Sequence, residues 1–401
     1  MQAPNYNRTK FACYSAQFTA ASVSSLPPLL FVTFYENYDI SWTLLGTLVL
    51  INFLTQLSID LLFSAFSKYF NVKVMIKTMP LIVTAGMLLY ALTPFLFKGY
   101  EFWGFAFATI IFSVAAGLGE VLLSPTVAAI PSKNPQRDMS FLHSLYGIGV
   151  FTVVLVSSVF FKLFGADNWL FLGIFFAVLP MLSAVLFILS PIPDMTAKEE
   201  IKSVEKTKKK TVGIALCVLC IFFGACAEVT MTTWISGFME TELHTDKALG
   251  DILGLAGFAI LLGATRFLYA KWGKNIGKTL LIGMVGALVC YLIVGLCPYA
   301  VPAFIACILT GVFTAMLWPG TLILMEENLS GVGVAAYALM AAGGDLGASL
   351  APQLVGVVAD YSGMQAGMLV SAIFPALGVV VLLVALRFFK KEKSLKDKIS
   401  G

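Results

Sequence analysis

At least five charged side chains lie inside long apolar runs of the sequence, where a charge is expensive. They include Asp60, Glu120, Glu228, Arg266 and Asp345. On membrane-insertion scales a central Asp, Lys or Arg costs roughly 2.5 to 3.5 kcal/mol, so each one calls for a reason. Because desolvation disfavours the charged form of a carboxyl group, an acid in such a place is suited to take up and release a proton. We therefore interpret Glu120, Glu228 and Asp60 as candidate proton-coupling groups.

A structural role is the alternative for these groups. Asp60 and Arg266 lie about two turns or less from the ends of their predicted helices, where a side chain can reach water. They fit gate charges as well as functional sites, and we place Arg266 with Asp360 in that gate or structural class. At Glu120 and Glu228 the alternative is a neutral or paired carboxyl group that only fixes helix packing.

Asp345 lies in the run Gly343-Gly344-Asp345-Leu346-Gly347. Small residues four positions apart let two helices approach closely, so this run predicts a helix-packing face. The same glycines would permit local unwinding around a cavity. We therefore keep Asp345 among the candidate substrate contacts.

Seven further polar and aromatic side chains inside the apolar runs are suited to line a cavity. Aromatic faces and amide or imidazole groups bind hydroxylated ligands by stacking and hydrogen bonding. The alternative is that an aromatic residue on a membrane helix faces lipid or packs against protein. His143 is the most informative member, because a histidine is costly in lipid and changes its charge near neutral pH. The predicted substrate-binding set is Gln17, Asn52, Gln56, His143, Tyr146, Trp234 and Trp318.

The composition identifies the medium that surrounds these residues. Of the 401 residues 59% are hydrophobic and only 12% are charged, and the mean hydropathy is +0.90. A soluble domain carries roughly 25% charged residues, so this chain could not cover its apolar surface in water. We predict an all-α integral membrane protein.

A bilayer core needs about 20 apolar residues per helix. Windows of that length predict twelve transmembrane helices in two six-helix bundles. No small-residue cleavage site follows the first run, so we expect a retained helix rather than a signal peptide. The predicted spans are 11–34, 42–66, 74–96, 102–127, 139–163, 169–190, 212–236, 250–270, 279–297, 302–325, 332–359 and 366–388.

One long polar stretch divides these spans into two halves. Residues 191–211 carry six lysines, and Pro191 and Pro193 prevent the preceding helix from continuing. We therefore predict an N-terminal bundle at 1–190, a basic cytoplasmic linker at 191–211, and a C-terminal bundle with a basic cytoplasmic tail at 212–401.

The two halves resemble each other at two corresponding places. The fourth span has Glu120-Val-Leu-Leu-Ser-Pro125 and the tenth has Thr314-Ala-Met-Leu-Trp-Pro319, with a proline at the same position. The turn Ser67-Lys68-Tyr69-Phe70-Asn71 after the second span corresponds to Ala270-Lys271-Trp272-Gly273-Lys274 after the eighth. Parallel repeats of two six-helix halves are an established plan for transporters, so we expect pseudo-symmetric bundles.

The distribution of lysine and arginine sets the predicted orientation. With the N-terminus in the cytoplasm, 23 of the 26 basic residues fall on the cytoplasmic side, and only Lys98, Lys162 and Lys247 fall outside. This positive-inside pattern predicts both termini in the cytoplasm and a multi-pass location in the cell (plasma or inner) membrane. It also accounts for the net charge of +4 without nucleic-acid binding.

The sequence predicts no metal site, no cofactor and no catalytic centre. Cys217 and Cys220 form a C-x-x-C without a second ligand pair, and all seven cysteines fall in predicted apolar helices. Only two histidines occur, and the phosphate-binding motif G-x-x-x-x-G-K-[ST] is absent. The expected partners are a small-molecule substrate, protons and the lipid bilayer. We expect no nucleic-acid partner, a monomeric chain, and a function other than that of an enzyme.

Several of these stretches resemble the major facilitator superfamily, and within it the fucose-permease-like branch of sugar–proton symporters. Gly117-Leu118-Gly119-Glu120 followed by Pro125 is similar to the fourth-helix pattern of that branch, in which the glutamate is a proton-coupling site. The stretch 140–149, with His143 and Tyr146, resembles its fifth helix, which contributes to the sugar cavity. The resemblance implies the major facilitator fold, with twelve helices in two bundles.

Two more stretches extend the resemblance, and three positions depart from it. Gly224-Ala-Cys-Ala-Glu228 with Trp234 is similar to the seventh helix of the branch, and Pro352-Gln-Leu-Val-Gly356 resembles the end of its eleventh. Other positions depart from the pattern. Ser67 and Phe70 replace the usual aspartate and glycine of the cytoplasmic turn, and Val23 or Ser24 replaces the first-helix aspartate of the branch. The second proton-handling group is therefore missing or has moved, with Asp60 as its candidate.

The leading hypothesis is secondary active transport of a small polar solute, a sugar in the first place, by proton symport with alternating access. The first alternative is a proton-coupled exporter of drugs or metabolites that works as an antiporter. A membrane-embedded sensor or enzyme is a remote alternative, because a sensor is expected to carry a folded soluble domain and no polar segment is long enough for one.

Overall fold

The computed structural model describes residues 6–66, 69–133, 135–193, 208–329 and 334–400. These residues form helices joined by short turns, and no strand occurs among them. The helices are α1 (Asn7–Leu29), α2 (Phe31–Tyr38), α3 (Trp42–Phe66), α4 (Val72–Leu96), α5 (Glu101–Ala129), α6 (Pro135–Phe164), α7 (Trp169–Ile188), α8 (Lys208–Thr241), α9 (Lys247–Leu249), α10 (Gly257–Trp272), α11 (Ile276–Leu296), α12 (Ala300–Thr314), α13 (Leu317–Asn328), α14 (Val334–Ser362), α15 (Met364–Val370) and α16 (Ile373–Ser400).

The described helices account for the predicted spans. Ten helical segments are long and apolar enough to cross a bilayer, and the pair α1 and α2, bent by 47°, forms an eleventh. α14 is the twelfth: its 29 residues extend over about 44 Å at 1.5 Å per residue. It carries several glycines and alanines and Asp345. The all-α, twelve-helix membrane fold is confirmed.

Four of the predicted spans are not continuous α-helices. The first bends after Pro27 and Pro28, which lie inside α1. The tenth divides into α12 and α13, and the twelfth into α15 and α16. The eighth begins with the short α9 and a π-helix over Gly250–Ala256. Hydrophobicity predicts where a span lies, but it is insensitive to these local breaks.

The chain divides into two compact units, Met1–Lys198 with Thr245–Ile252, and Glu199–His244 with Leu253–Gly401. Ser67, Lys68 and most of the predicted linker, residues 194–207, lie outside the described residues. The predicted domain limits at 190 and 212 therefore stay predictions.

In the first unit α1 packs against α6 and α7, α4 against α5 and α7, and α3 against α5. Buried aromatic rings fill the space near the start of α5. Phe34 stacks on Phe105 with ring centroids 4.3 Å apart, and Trp169 meets Phe34 edge-on at 5.0 Å. Tyr90 completes the cluster, with its ring centroid 4.8 Å from that of Phe105. These rings hold α2, α4, α5 and α7 together at one end of the unit.

A polar cluster ties the beginning of α1 to α6 at the other end. The Lys10 ammonium and the Ser132 hydroxyl both donate hydrogen bonds to the Asp138 carboxylate, which precedes the membrane-spanning part of α6. These hydrogen bonds lower the pKa of Asp138 below its usual range. Since this pKa is depressed on folding, the cluster stabilises the protein at neutral pH, and the stabilisation is lost as the pH falls through the folded-state pKa.

In the second unit α8 lies against α14, α16 and α13. The glycines of the run 343–347 make the first of these contacts close. A Cβ atom on Gly347 would lie 2.3 Å from the carbonyl oxygen of Phe222, and one on Gly343 would lie 2.7 Å from the Val218 side chain. The prediction that this run is a helix-packing face is confirmed.

Replacing Gly347 by alanine is expected to lower the unfolding temperature of the purified protein. The new methyl group would collide with the Phe222 carbonyl oxygen, which belongs to the backbone and cannot rotate away. We expect a loss of about 1 to 3 kcal/mol of stability. Gly263→Ala is the matched control, because this helical glycine has nothing within 4 Å of its Cβ position, and alanine has the higher helix propensity. Equal unfolding temperatures of the two variants would contradict the close packing of α8 on α14.

Candidate functional site

A polar stripe runs along α3 and faces α5. Asn52, Gln56 and Asp60 are spaced by four residues and therefore share one face of α3. Asn52 Oδ1 accepts hydrogen bonds from Gln56 Nε2 at 2.9 Å and from Ser113 Oγ of α5 at 2.7 Å. A Cβ atom on Gly117 would lie 3.2 Å from the Gln56 backbone, so α5 comes close to α3 at this level. The two predicted amides are thus brought together and bonded to a neighbouring helix.

One turn further along α3, the carboxyl group of Asp60 lies close to that of Glu120, with an oxygen of each within 4.8 Å of the other. Two ionised carboxylates are acceptors only, so a hydrogen bond between them would need one bound proton. The Asp60 oxygen Oδ1 is buried and has no hydrogen-bond partner in the described chain. Asp60 is partly buried, whereas Glu120 is exposed rather than enclosed by apolar side chains of its unit. The structure therefore brings two predicted proton-coupling residues together.

Asp60 and Glu120 could also contribute to a cation site, because carboxylate oxygens are the ligands that hard cations such as Mg²⁺ and Ca²⁺ prefer. An oxygen of each lies within 4.8 Å of the other. These cations take about six to eight oxygen ligands, so the two carboxyl groups would be only part of such a site.

The polar residues of α6 contact α5 and α1. His143 Nε2 lies 3.4 Å from Ser124 Oγ, and the Tyr146 hydroxyl lies 2.6 Å from Ser24 Oγ. Both α6 side chains are exposed. Ser124 follows Glu120 by one turn of α5, so the imidazole adjoins the carboxyl pair along the same helix face. Gln17 is partly buried and precedes Ser24 by seven residues, on the same face of α1.

In the second unit the predicted gate charge and a predicted proton-coupling residue form an ion pair. Arg266 Nη2 lies 3.0 Å from Glu228 Oε1 and 3.2 Å from Oε2. The two side chains are 40% and 18% exposed, respectively. Arg266 Nε also donates to the carbonyl oxygen of Ala315 at 2.8 Å. A carboxylate and a backbone carbonyl thus hold the guanidinium group in one orientation.

The carbonyl of Ala315 is available because of a proline. In a helix this oxygen would accept a hydrogen bond from the backbone N–H four residues later. That residue is Pro319, which has no N–H, and the chain breaks between α12 and α13 at this point. Arg266 therefore satisfies an acceptor that the sequence leaves unpaired within the helix.

Four further predicted residues belong to the second unit. Trp234 is fully buried and donates from Nε1 to the carbonyl oxygen of Pro352 at 3.0 Å, so its position supports packing rather than substrate contact. The Trp318 ring covers Gly344 and is partly exposed. Asp345 is buried, and Asp360 is exposed near the end of α14.

The sequence gives little indication that several residues at or near these groups are important. Ser24, Ser113 and Ser124 bond to predicted residues, but a serine in a membrane helix commonly bonds to its own backbone. Ser24 also occupies one of the two positions where the resemblance led us to expect an aspartate, and the side chain of the other, Val23, lies outside the described residues. Asp251 is buried within the π-helix. It is not among the predicted site residues because it lies at the end of a predicted span.

Comparison with protein families gives one match across almost the whole chain. The sequence model of the Major Facilitator Superfamily matches residues 13–335 and 218–401. No match was found among curated protein sequences.

Solved structures share the fold at low sequence identity. A bacterial homologue of the human lysosomal transporter Spinster, in an inward-facing and unoccupied conformation, has a TM-score of 0.76 and 13% identity over 96% of this chain and 97% of that chain. The D-xylose-proton symporter has a TM-score of 0.75 and 16% identity over 95% and 96%. The E. coli fucose:proton symporter has a TM-score of 0.60 and 16% identity over 95% and 99%. At these identities the likeness shows the fold alone.

We expect the losses of stability from Glu228→Gln and Arg266→Gln to be non-additive. Each single change leaves one charge in the span without its partner, which costs roughly 1 to 3 kcal/mol, less than for a fully buried pair because Arg266 is 40% exposed. The double variant removes both charges and should lose less than the sum. Thermal unfolding of the four proteins measures this coupling. Additive losses would contradict the ion pair.

Pro319→Ala should weaken the same coupling. The alanine supplies an N–H for the Ala315 carbonyl, so Arg266 Nε loses its acceptor and the guanidinium group loses its fixed orientation. We expect the coupling energy between Glu228 and Arg266, measured in this background, to fall by about 1 kcal/mol. Pro302→Ala is the control, because Pro302 lies in the first turn of α12, where no intrahelical partner is lost. An unchanged coupling in Pro319→Ala would overturn the role of the proline.

Proposed function

Because this chain belongs to the Major Facilitator Superfamily and is a multi-pass membrane transporter rather than an enzyme, we propose that it is a proton symporter of a small polar solute, a sugar in the first place. The observation that carries the proposal is the close approach of the Asp60 and Glu120 carboxyl groups, with an oxygen of each within 4.8 Å of the other. Transport would proceed by alternating access between the two six-helix bundles, which is the established plan for transporters built from parallel repeats.

The carboxyl pair supplies a route from proton binding to movement of the helices. With one proton the two groups bond to each other and hold α3 against α5. Loss of that proton places two negative charges within 4.8 Å of each other, and their repulsion in a medium of low dielectric favours separation of the two side chains. A protonation change at one place thus alters the contact between two helices, which is what coupling to a proton gradient requires.

The polar groups around the site favour a neutral, hydroxylated solute. The Asn52–Gln56 amides and the His143 and Tyr146 side chains offer both donors and acceptors for hydroxyl groups. In the second unit the Glu228–Arg266 pair carries no net charge, so it gives neither an anion nor a cation an overall advantage. Two structural neighbours are described as symporters of xylose and fucose with protons, and this description supports a sugar by analogy.

The same carboxyl pair would also serve a proton-driven exporter of drugs or metabolites, which is the second candidate. We place the chain in the fucose-permease-like branch because of the stretches around Glu120, His143 and Glu228. A monomer in the cell membrane, with both termini in the cytoplasm, completes the proposal.

Glu120→Gln is expected to abolish uphill uptake while leaving exchange partly intact. The amide cannot release a proton, so the solute can still cross but the gradient no longer drives it. The measurement uses proteoliposomes, a panel of labelled sugars, and an imposed pH gradient, followed by exchange of the responding sugar at equal pH. Asp60→Asn should impair uphill uptake in the same way because it removes the partner that shares the proton.

Glu36→Gln is the control for these variants, because Glu36 is an exposed acid of α2 outside the polar stripe. It should accumulate sugar like the unaltered protein. Uphill uptake that survives Glu120→Gln would refute the coupling role. Efflux of a solute against its gradient, driven by inward protons, would favour the exporter.

A further inference from the structure

A cavity of about 490 Å³ lies in the first unit, away from the carboxyl pair. It is formed by the end of α2, the first part of α3 and the first turns of α5, at the end of the unit opposite to the beginning of α1. Its lining residue furthest along α3, Ile51, precedes Asp60 by nine residues, or about 14 Å along the helix. The cavity is lined by Tyr38, Asp39, Ile40, Leu44, Thr47, Ile51, Gly99, Tyr100, Glu101, Phe102, Trp103 and Ala106.

The rim of the cavity combines acidic and aromatic side chains. Asp39 is exposed and its carboxylate makes no hydrogen bond within the described residues, whereas Glu101 Oε1 accepts the Gly99 N–H at 2.8 Å. Among the residues that the structure describes, no lysine or arginine lines the cavity. Carboxylates together with the faces of Tyr and Trp attract ammonium groups, and tertiary and quaternary ammonium ions in particular bind to such aromatic surroundings. The charge of this rim disfavours an anion.

The floor of the cavity is apolar and lies deeper than the rim. Leu44 and Ile51 belong to the membrane span Trp42–Phe63, and Ala106 belongs to the span that begins at Glu101. Tyr100 and Trp103 at the rim are 71% and 66% exposed. Exposed aromatic rings at the ends of spans mark the level of the lipid headgroups. The rim is therefore at headgroup depth, and the floor is at the depth of the acyl chains.

We propose that this cavity binds a phospholipid whose headgroup carries an ammonium group, of the phosphatidylethanolamine or phosphatidylcholine type. The ammonium group lies between the Asp39 carboxylate and the Tyr100 and Trp103 rings, and the first part of an acyl chain covers Leu44, Ile51 and Ala106. A free amine would satisfy the rim but leave the apolar floor uncovered. A lipid satisfies both parts and is present at high concentration at this depth.

The test is lipid binding to the full-length purified chain, followed by native mass spectrometry. The probes are a phosphatidylethanolamine, a phosphatidylcholine and an anionic phosphatidylglycerol with identical acyl chains, together with soluble ethanolamine and choline. The variants are Asp39→Asn and Trp103→Leu. Asparagine suits position 39 because the residue has a φ of 53°, a conformation that asparagine tolerates.

Two neighbours supply matched controls. Glu36→Gln removes an exposed acid of α2 that does not line the cavity, and Phe107→Leu removes an exposed ring one turn further along α5. We expect the lipids with an ammonium group to bind more tightly than phosphatidylglycerol. Asp39→Asn and Trp103→Leu should each weaken that binding about fivefold to tenfold, while the controls leave it unchanged.

Three results would overturn the inference. Equal affinity for phosphatidylglycerol would show that the ammonium group is not recognised. An unchanged lipid preference in Asp39→Asn, or an equal loss in Glu36→Gln, would show that the cavity is not the site. Soluble choline or ethanolamine binding as tightly as the lipids would replace the lipid by a free organic cation.

Discussion

The cost of a charge in a bilayer is the constraint on which the rest of this structure depends. An ionised side chain inside a span is stable only when partners replace the water it has lost. In the first unit the carboxyl group of Asp60 lies close to that of Glu120, and in the second Arg266 bonds to both oxygens of Glu228. In both cases the partner comes from another helix, so the charged groups decide which helix faces meet. Packing and chemistry are therefore determined by the same few contacts.

A proline makes a further polar contact of Arg266 possible. A membrane helix normally satisfies every backbone carbonyl internally, and no acceptor remains for a neighbouring side chain. Pro319 removes one donor and thereby leaves the Ala315 carbonyl to Arg266. One proline in a helix thus leaves a backbone carbonyl free for a side chain of another helix. It does so without adding a charge to the span. The corresponding Pro125 of α5 follows Glu120 at the same spacing as Pro319 follows Thr314.

The sequence was sufficient to predict the surrounding membrane, the number of spans and the charged residues of the two pairs, because each of these depends on hydrophobicity along a single helix. It was insufficient for the pairings, since the sequence does not say which face of α3 meets α5 or which carboxylate meets Arg266. Trp234 illustrates the difference: its type suits a ligand cavity, but its neighbours on α14 enclose it. Ser113 was overlooked for the opposite reason, because a hydroxyl group gains importance only from the Asn52 amide beside it. Helix breaks such as the one at Ala315 and Met316 also depend on tertiary partners.

The close packing of α8 on α14 has a mechanical consequence. Where the Gly347 Cα faces the Phe222 carbonyl with no side chain between them, the two helices have no room to slide or rotate against each other. They should behave as one stiff body during any rearrangement of the second unit. Glu228 and Asp345, carried by these two helices, would then travel together at constant separation. Whatever loosens the guanidinium contact must consequently come from the motion of α10 or of the α12–α13 junction relative to that body.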